Sequence, residues 1–304
     1  MRITKIATEA EAPFLEYDPF VGADLVVSYR PEGDMSGTAV VRIYSGDGFV
    51  IAADGLRRDG AGTEKSRNQQ KIFAAEGADS TLAYAATGMT YVDQGSGGFD
   101  VSSEVSRLVH RVLTKKYDSP GRFTEEFAKA LRRSLREAQN DQRIKEFLDF
   151  GREGLIVSVL FAGYYSGRPF VSRAALSQDQ QRIQVPKVQS EDLALSSIRL
   201  EISGSEKVKD LLWYTDDPRL SAYRTDACRK VRNKQPFALA EGVELAKNYI
   251  AACSDPVSLG IDPDCAAIGG RIHVATIKPC EGFRWVEPPI AGMEASCKTK
   301  LPTY

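Results

Sequence analysis

Three side chains with complementary chemistry stand at the ends of predicted strands in the first quarter of the chain. Thr38 opens a β-rich run, Asp54 closes the apolar run that follows it, and Lys71 begins a third run. A hydroxyl, a carboxylate and an amine are the groups that nucleophilic and acid–base chemistry uses. Because neighbouring strand ends lie together, we predict that the three side chains meet in one cleft.

A hairpin and a third strand must position these residues. Turn residues from Ser45 to Gly48 separate two strand-like runs. The second run, residues 49–53, is short and continuously apolar, as expected for a buried strand. A polar loop through Gly60 and Gly62 then leads to the third run.

This stretch resembles the start of a mature proteasome β subunit, an N-terminal nucleophile hydrolase. The motifs that carry the resemblance are Gly37-Thr38, Ala52-Ala53-Asp54 and Lys71-Ile72-Phe73. In that family a Gly-Thr bond is cut, the freed threonine becomes the nucleophile, an aspartate closes the next strand, and a lysine precedes an Ile/Leu-Phe pair. The threonine-to-aspartate spacing matches without a gap. The aspartate-to-lysine spacing is one residue longer, which the glycine-containing loop absorbs.

The resemblance extends over roughly residues 38–277 and implies an α+β fold, a four-layer αββα sandwich of two antiparallel sheets flanked by helix pairs. Hydrophobic periodicity independently predicts strands, two helices, strands and two helices, in agreement with that layering. Gly88 matches the family glycine whose backbone N–H serves as oxyanion donor, and its alternative is a plain turn glycine. Ser205 matches the serine near the threonine amine, and its alternative is a helix N-cap.

The C-terminal part departs from the family pattern. Where the family has an aspartate and a serine before a Gly-Gly pair, this chain has Cys265 and Ile268 before Gly269-Gly270. Asp264 is one residue away, and we predict that it substitutes for the aspartate through a shifted loop. The departure leaves open slow catalysis, a rebuilt site or no catalysis.

The chain divides into three predicted parts. Residues 1–37 are acidic and broken by prolines, and the resemblance makes them a candidate propeptide; the alternative is an N-terminal arm that stays attached. The resemblance implies that residues 38–280 form an N-terminal nucleophile hydrolase (proteasome-like) domain. Residues 281–304 have little periodicity and are predicted to be a C-terminal tail, an arm or disordered.

Composition excludes several classes of function. A net charge of -1 gives no field for nucleic acid, and no apolar run approaches the ~20 residues of a membrane span. Five cysteines without a Cys-x-x-Cys motif argue against a disulfide framework or a zinc site. The early glutamates predict that no signal peptide is present, and a reducing, cytoplasmic location is the simplest interpretation. Neither cofactor nor metal is predicted.

Two functions remain open after these exclusions. The first is a threonine-nucleophile hydrolase that cleaves peptide or amide bonds and matures by autocleavage at Gly37-Thr38. Only two histidines occur, which favours a mechanism without imidazole. The second is a non-catalytic proteasome-like subunit that keeps its N-terminal arm. The family resemblance implies a homo-oligomer or ring assembly, and an unrelated β-sandwich with chance matches is a third alternative.

Overall fold

The fold was determined as a computed structural model, which describes residues 38–58, 63–92, 99–144, 148, 154–179, 182–194 and 197–290. The candidate propeptide with Gly37, the glycine loop through Gly60 and Gly62, and residues 291–304 lie outside the described residues.

The described chain contains strands, α-helices and two short 3-10 helices. The strands are β1 Val40–Ser45, β2 Gly48–Asp54, β3 Arg57–Arg58, β4 Glu64–Ser66, β5 Ile72–Glu76, β6 Ser80–Gly88, β7 Tyr91–Val92, β8 Phe99–Asp100, β9 Gly154–Tyr165, β10 Arg168–Asp179, β11 Arg182–Ile183, β12 Lys187–Asp192, β13 Arg199–Ser203, β14 Ile272–Lys278 and β15 Gly282–Glu287. The α-helices are α1 Val101–Leu113, α2 Pro120–Asn140, α3 Glu206–Trp213, α4 Asp226–Arg232, α5 Leu239–Ser254 and α6 Pro256–Leu259. The 3-10 helices span Pro218–Tyr223 and Pro263–Ala267.

Two antiparallel sheets dominate the fold. The first sheet has the strand order β13-β1-β2-β14-β15, and the second has the order β11-β10-β9-β6-β5, with β12 also pairing with β10. The predicted hairpin is present, since β1 and β2 pair up to Ser45 opposite Gly48. The α+β class with antiparallel sheets predicted from the sequence is therefore confirmed.

Three hydrophobic clusters follow from the alternation of side chains along the strands. One cluster joins β1, β2 and β14 of the first sheet to β5, β6, β9 and β10 of the second. A second cluster packs the first sheet against α3, α4 and α5. The third packs the second sheet against α1 and α2. Each strand between two clusters must be apolar on both faces, which explains the uninterrupted apolar runs of β2 and β9.

The amphipathic helices begin at side chains that satisfy free backbone N–H groups. Asp100 accepts a hydrogen bond from the backbone N of Ser103 at the start of α1, and Ser119 accepts one from that of Arg122 at the start of α2. No helix in the described part of the chain is both long and apolar enough to cross a lipid bilayer.

The C-terminal segment differs from its expectation as a tail. Residues 282–287 form β15, which pairs with β14 at the edge of the first sheet. Phe283 and Trp285 lie on the same face of this strand, and both rings pack against the cluster between the sheets. The Pro288-Pro289 pair ends the strand, since proline removes a ladder donor.

Candidate active site

The structure brings Thr38, Asp54 and Lys71 together at one end of the two sheets. Lys71 Nζ donates hydrogen bonds to Thr38 Oγ1 at 3.1 Å and to Asp54 Oδ1 at 2.8 Å. All three residues are buried, and Asp54 is fully so. A charged pair taken out of water is tolerated only when its partners are close and well aligned, as they are here.

The Asp54 carboxylate is held by three further donors. Its Oδ1 accepts from the backbone N of Ala39 at 2.9 Å, and its Oδ2 accepts from those of Leu56 and Gly269, each at 3.2 Å. The bond to Ala39 anchors the residue that directly follows Thr38. Asp54 thus fixes both the backbone next to the hydroxyl and the amine that contacts it.

Burial perturbs the titration of this pair. Burial raises the pKa of the Asp54 carboxyl, while Lys71 and the N–H groups of Gly269 and Ala39 act in the opposite direction. Burial lowers the pKa of the Lys71 amine, and Asp54 opposes that shift. A lysine with a lowered pKa beside a hydroxyl can exchange a proton with it more readily than an exposed lysine can.

Gly88 lies at the exposed end of β6 with a φ of +90°. A Cβ atom at this position would stand 2.5 Å from the backbone O of Ile156, so only glycine fits. The register pairs Ile72 with Ala85, which places Lys71 opposite Ala86, two residues before Gly88. Gly88 is therefore near the lysine end of β5, and its predicted role as oxyanion donor stays a prediction.

Ser205 is buried at the start of α3, where its Oγ accepts a hydrogen bond from the backbone N of Val208 at 3.1 Å. The same Oγ donates to Asp262 Oδ2 at 2.6 Å. The β1–β13 pairing ends with Val40 opposite Ser203, and a Cβ atom on Gly204 would lie 3.4 Å from that of Ala39, so Ser205 directly follows a residue packed beside Ala39. Ser205 is thus an N-cap, and its predicted role near the threonine amine stays a prediction.

The carboxylate near Ser205 belongs to Asp262 rather than to Asp264. Asp264 is exposed, and its backbone N donates to Asp262 Oδ1 at 3.2 Å. Sequence reasoning missed Asp262. The available signal was the Asp262-Pro263 pair, because an aspartate directly before proline is a typical start of a short helical turn.

Cys265 and Ile268 occupy the positions where a carboxylate and a hydroxyl were sought, and both are buried. A hydrogen bond with Cys253 lowers the pKa of the Cys265 thiol, and a second one with Ser205 acts in the same direction. The surroundings of Ser205 therefore contain one carboxylate and one polarised thiol. Within the described residues, no group of three or more His, Cys, Asp or Glu is placed to hold a metal ion.

Comparisons with known proteins gave no family. No family model matches the chain, and no curated protein matches it. Two solved structures that resemble it are the Anbu (Gly-1) mutant from Hyphomicrobium sp. strain MC1 and Anbu (ancestral beta-subunit) from Yersinia bercovieri. The first is 13% identical with a TM-score of 0.44, the second 11% identical with a TM-score of 0.43, and each comparison covers 82% of this chain and 87% of the other.

The assignment to the proteasome β-subunit family of N-terminal nucleophile hydrolases is therefore wrong. Its motifs span three short stretches at strand ends, and an amine, a carboxylate and a hydroxyl can meet there without shared family membership. The matching structures carry the name Anbu, at identities too low to carry activity or assembly over to this chain. A function for this chain therefore has to be inferred from the geometry of the candidate site.

Proposed function

We propose that this chain is a threonine-nucleophile hydrolase that cleaves peptide or amide bonds after autocleavage at Gly37-Thr38. The observation that carries the proposal is the buried Lys71 amine, which donates to both the Thr38 hydroxyl and the Asp54 carboxylate. The three hydrophobic clusters support a four-layer αββα sandwich as the frame of this site.

The four described cysteines are free thiols, which supports a reducing, cytoplasmic location.

In the uncleaved chain the Thr38 nitrogen is an amide and cannot act as a base. The neutral form of Lys71, which burial favours by lowering the pKa of the amine, takes the hydroxyl proton instead. The Thr38 oxygen then attacks the Gly37 carbonyl carbon, the C–N bond breaks, and Lys71 passes the proton to the freed Thr38 nitrogen. Water hydrolyses the resulting ester and releases residues 1–37 as a propeptide.

In the mature chain the α-amine of Thr38 becomes the base, because such amines titrate near ~7.7–8.0. It takes the proton of its own hydroxyl as the oxygen attacks the substrate carbonyl. The Lys71 cation, held by Asp54, stabilises the developing negative charge, and the Gly88 N–H binds the oxyanion. The amine passes its proton to the leaving nitrogen, and water then releases the acyl group.

A second candidate is a non-catalytic structural subunit that keeps its N-terminal arm. Cys265 and Ile268, which are both buried, favour it, because neither side chain supplies a carboxylate or a hydroxyl that could orient a Thr38 amine. Against it stands the cost of burying Lys71 and Asp54, which a purely structural subunit does not need.

Hydrolysis of fluorogenic peptide amides separates the two candidates. We expect wild-type protein to release the fluorophore, Thr38→Ala to lose at least about a hundredfold in rate, and Thr38→Ser to keep measurable activity. Thr114→Ala, which changes an exposed threonine at the end of α1, is the matched control and should equal wild type. Equal rates for wild type and Thr38→Ala, or no hydrolysis by either, would refute the proposal.

A further inference from the structure

Five cationic side chains lie at the surface beside the candidate active site and form a basic patch. Arg57 and Arg58 make up β3, Lys65 lies in β4, Arg67 directly follows β4, and Arg271 directly precedes β14. Arg57 is half-buried, and the other four residues are exposed. From residue 55 to residue 70 the sequence carries four cationic and two acidic side chains, so the ribbon of β3 and β4 has a net positive charge.

Backbone contacts place the basic patch next to the buried carboxylate of the site. The backbone N of Arg271 donates to the backbone O of Arg67 at 2.7 Å. A Cβ atom on Gly55 would stand 2.7 Å from the O of Arg271 and 2.8 Å from that of Arg67. Because Gly55 directly follows Asp54, both arginines flank the residue next to that carboxylate. Arg57 is three residues beyond Asp54, which limits the distance between their Cα atoms to about 10 Å.

The chain that leads into Thr38 has the opposite charge. Residues 1–37 carry seven acidic and three basic side chains, and residues 31–37 carry Glu32 and Asp34 without any cation. Asp34 is four residues before Thr38, so their Cα atoms are at most about 14 Å apart. Asp54 accepts a hydrogen bond from the backbone N of Ala39 at 2.9 Å, so this acidic segment starts beside the root of the basic patch.

Charge and reach together define what the basic patch can hold. A single exposed ion pair is weak, but several like charges on one surface attract an oppositely charged segment collectively. We propose that the basic patch binds acidic residues on the N-terminal side of the bond that is cut, first Glu32 and Asp34 of this chain and then the matching positions of a peptide substrate. The second part, which names acidic peptides as the substrate class, rests on the hydrolase function proposed above, whereas the contact within the chain does not.

Cross-linking of the full-length Thr38→Ala chain tests the contact without any catalysis. A carbodiimide condenses a carboxylate with an amine that it contacts, and Lys65 supplies the amine of the basic patch. We expect mass spectrometry to find Lys65 joined to Glu32 or Asp34. Lys129, an exposed lysine on α2, is the control and should not be joined to either residue.

Salt separates attraction between charges from mere proximity. At 1 M salt the screening length is only about 3 Å, so the yield of the Lys65 cross-link should fall at least about fivefold. Absence of a cross-link from Lys65 to Glu32 or Asp34, or a yield that salt leaves unchanged, would overturn the proposal.

Peptide-amide hydrolysis by the wild-type chain tests the substrate class. The fluorogenic amide of Asp-Met-Ser-Gly copies residues 34–37, and that of Asn-Met-Ser-Gly is its uncharged match. We expect kcat/KM to be at least about threefold higher for the Asp peptide, mainly through a lower KM, because the patch binds the carboxylate before and during the reaction alike.

Two exposed arginines form a matched pair of variants. Arg67 is 72% exposed and lies 3.8 Å from Glu64, while Arg284 on β15 is 66% exposed and lies 3.6 Å from Glu281. Arg67→Glu should abolish the preference for the Asp peptide, and Arg284→Glu should keep it. Equal kcat/KM for the two peptides, or an equal loss of preference in both variants, would overturn the proposal and leave the hydrolase function intact. No hydrolysis of either peptide alongside a salt-sensitive cross-link would refute the hydrolase function and still support the contact.

Discussion

Lys71 Nζ lies 3.1 Å from Thr38 Oγ1, and this contact joins the start of β5 in the second sheet to the residue two positions before β1 of the first sheet. Lys71 stands directly before β5 of the second sheet, whereas Thr38 precedes β1 of the first. The hydroxyl and the amine therefore meet only when the two sheets are packed together. Asp54, at the end of β2, holds the amine in that position.

Removal of the Lys71 amine should destabilise the fold as well as the chemistry. Lys71→Met leaves the Asp54 carboxylate buried without its cation, and we expect a loss of about 3–5 kcal/mol in the free energy of unfolding. Lys129→Ala, which breaks an exposed pair with Glu126, should cost no more than about 1 kcal/mol. Urea denaturation measures both, and equal losses would show that the Lys71–Asp54 pair is not the buried anchor described here.

The buried His273 should make the free energy of unfolding fall at acidic pH. Burial, with Arg271 and Lys71 nearby, lowers the pKa of His273 to about 4 from 6.5. The folded state then binds fewer protons than the unfolded state between pH 4 and 6.5, so stability falls as the pH is lowered through this window. The full shift corresponds to about 3 kcal/mol of unfolding free energy.

The neutral ring of His273 interacts through Nε2 with Asn68 Oδ1 at 3.0 Å. His273→Gln can keep a donor to Asn68 but cannot titrate, so it should flatten the loss of stability between pH 6.5 and 4. Urea denaturation at several pH values measures the difference. An unchanged pH slope in His273→Gln would assign the acid sensitivity to other groups.

Gly88 should tolerate substitution less well than another glycine with positive φ. Gly88→Ala combines an unfavourable φ with a Cβ atom 2.5 Å from the Ile156 oxygen. Gly167→Ala carries a φ of +74° but meets no atom within 4 Å, so it should cost only about 1–2 kcal/mol. Thermal unfolding should show that Gly88→Ala loses at least about 1 kcal/mol more unfolding free energy than Gly167→Ala does. Equal losses would mean that the strand end moves freely, which would weaken its assignment as a fixed oxyanion donor.

Substitutions of Asp262 and Asp264 should have clearly different effects on the rate of peptide-amide hydrolysis. Asp262 accepts the Ser205 hydroxyl, so Asp262→Asn should misplace Ser205 and lower peptide-amide hydrolysis about tenfold to a hundredfold. Asp264 is exposed, and Asp264→Asn should leave the rate within about twofold. The opposite pattern in the measured rates would favour the shifted-loop role predicted for Asp264 from the sequence.

The sequence predicted the elements that depend on residues close together in the chain. The turn residues define the β1–β2 hairpin, and the spacing of apolar residues defines helices α1, α2 and α5. The grouping of Thr38, Asp54 and Lys71 was also predictable, because each residue marks a strand end. Their catalytic roles stay a prediction.

Features that depend on distant packing were not predictable. Arg42 and Glu201 pair across 159 positions of sequence, and no local pattern announces that contact. Asp262 reaches Ser205 only because the short turn after α6 folds back onto the start of α3. β15 was not predicted, because the Pro288-Pro289 pair that follows it is typical of an unstructured tail.

The most direct test of the central claim is the intact mass of the purified protein, with N-terminal sequencing. If Lys71 and Asp54 activate Thr38 as proposed, wild-type protein will convert to a chain of residues 38–304, and Thr38→Ala will retain residues 1–37 under the same conditions. Wild-type protein that keeps residues 1–37 after prolonged incubation, or a Thr38→Ala variant that loses them equally fast, would contradict the account.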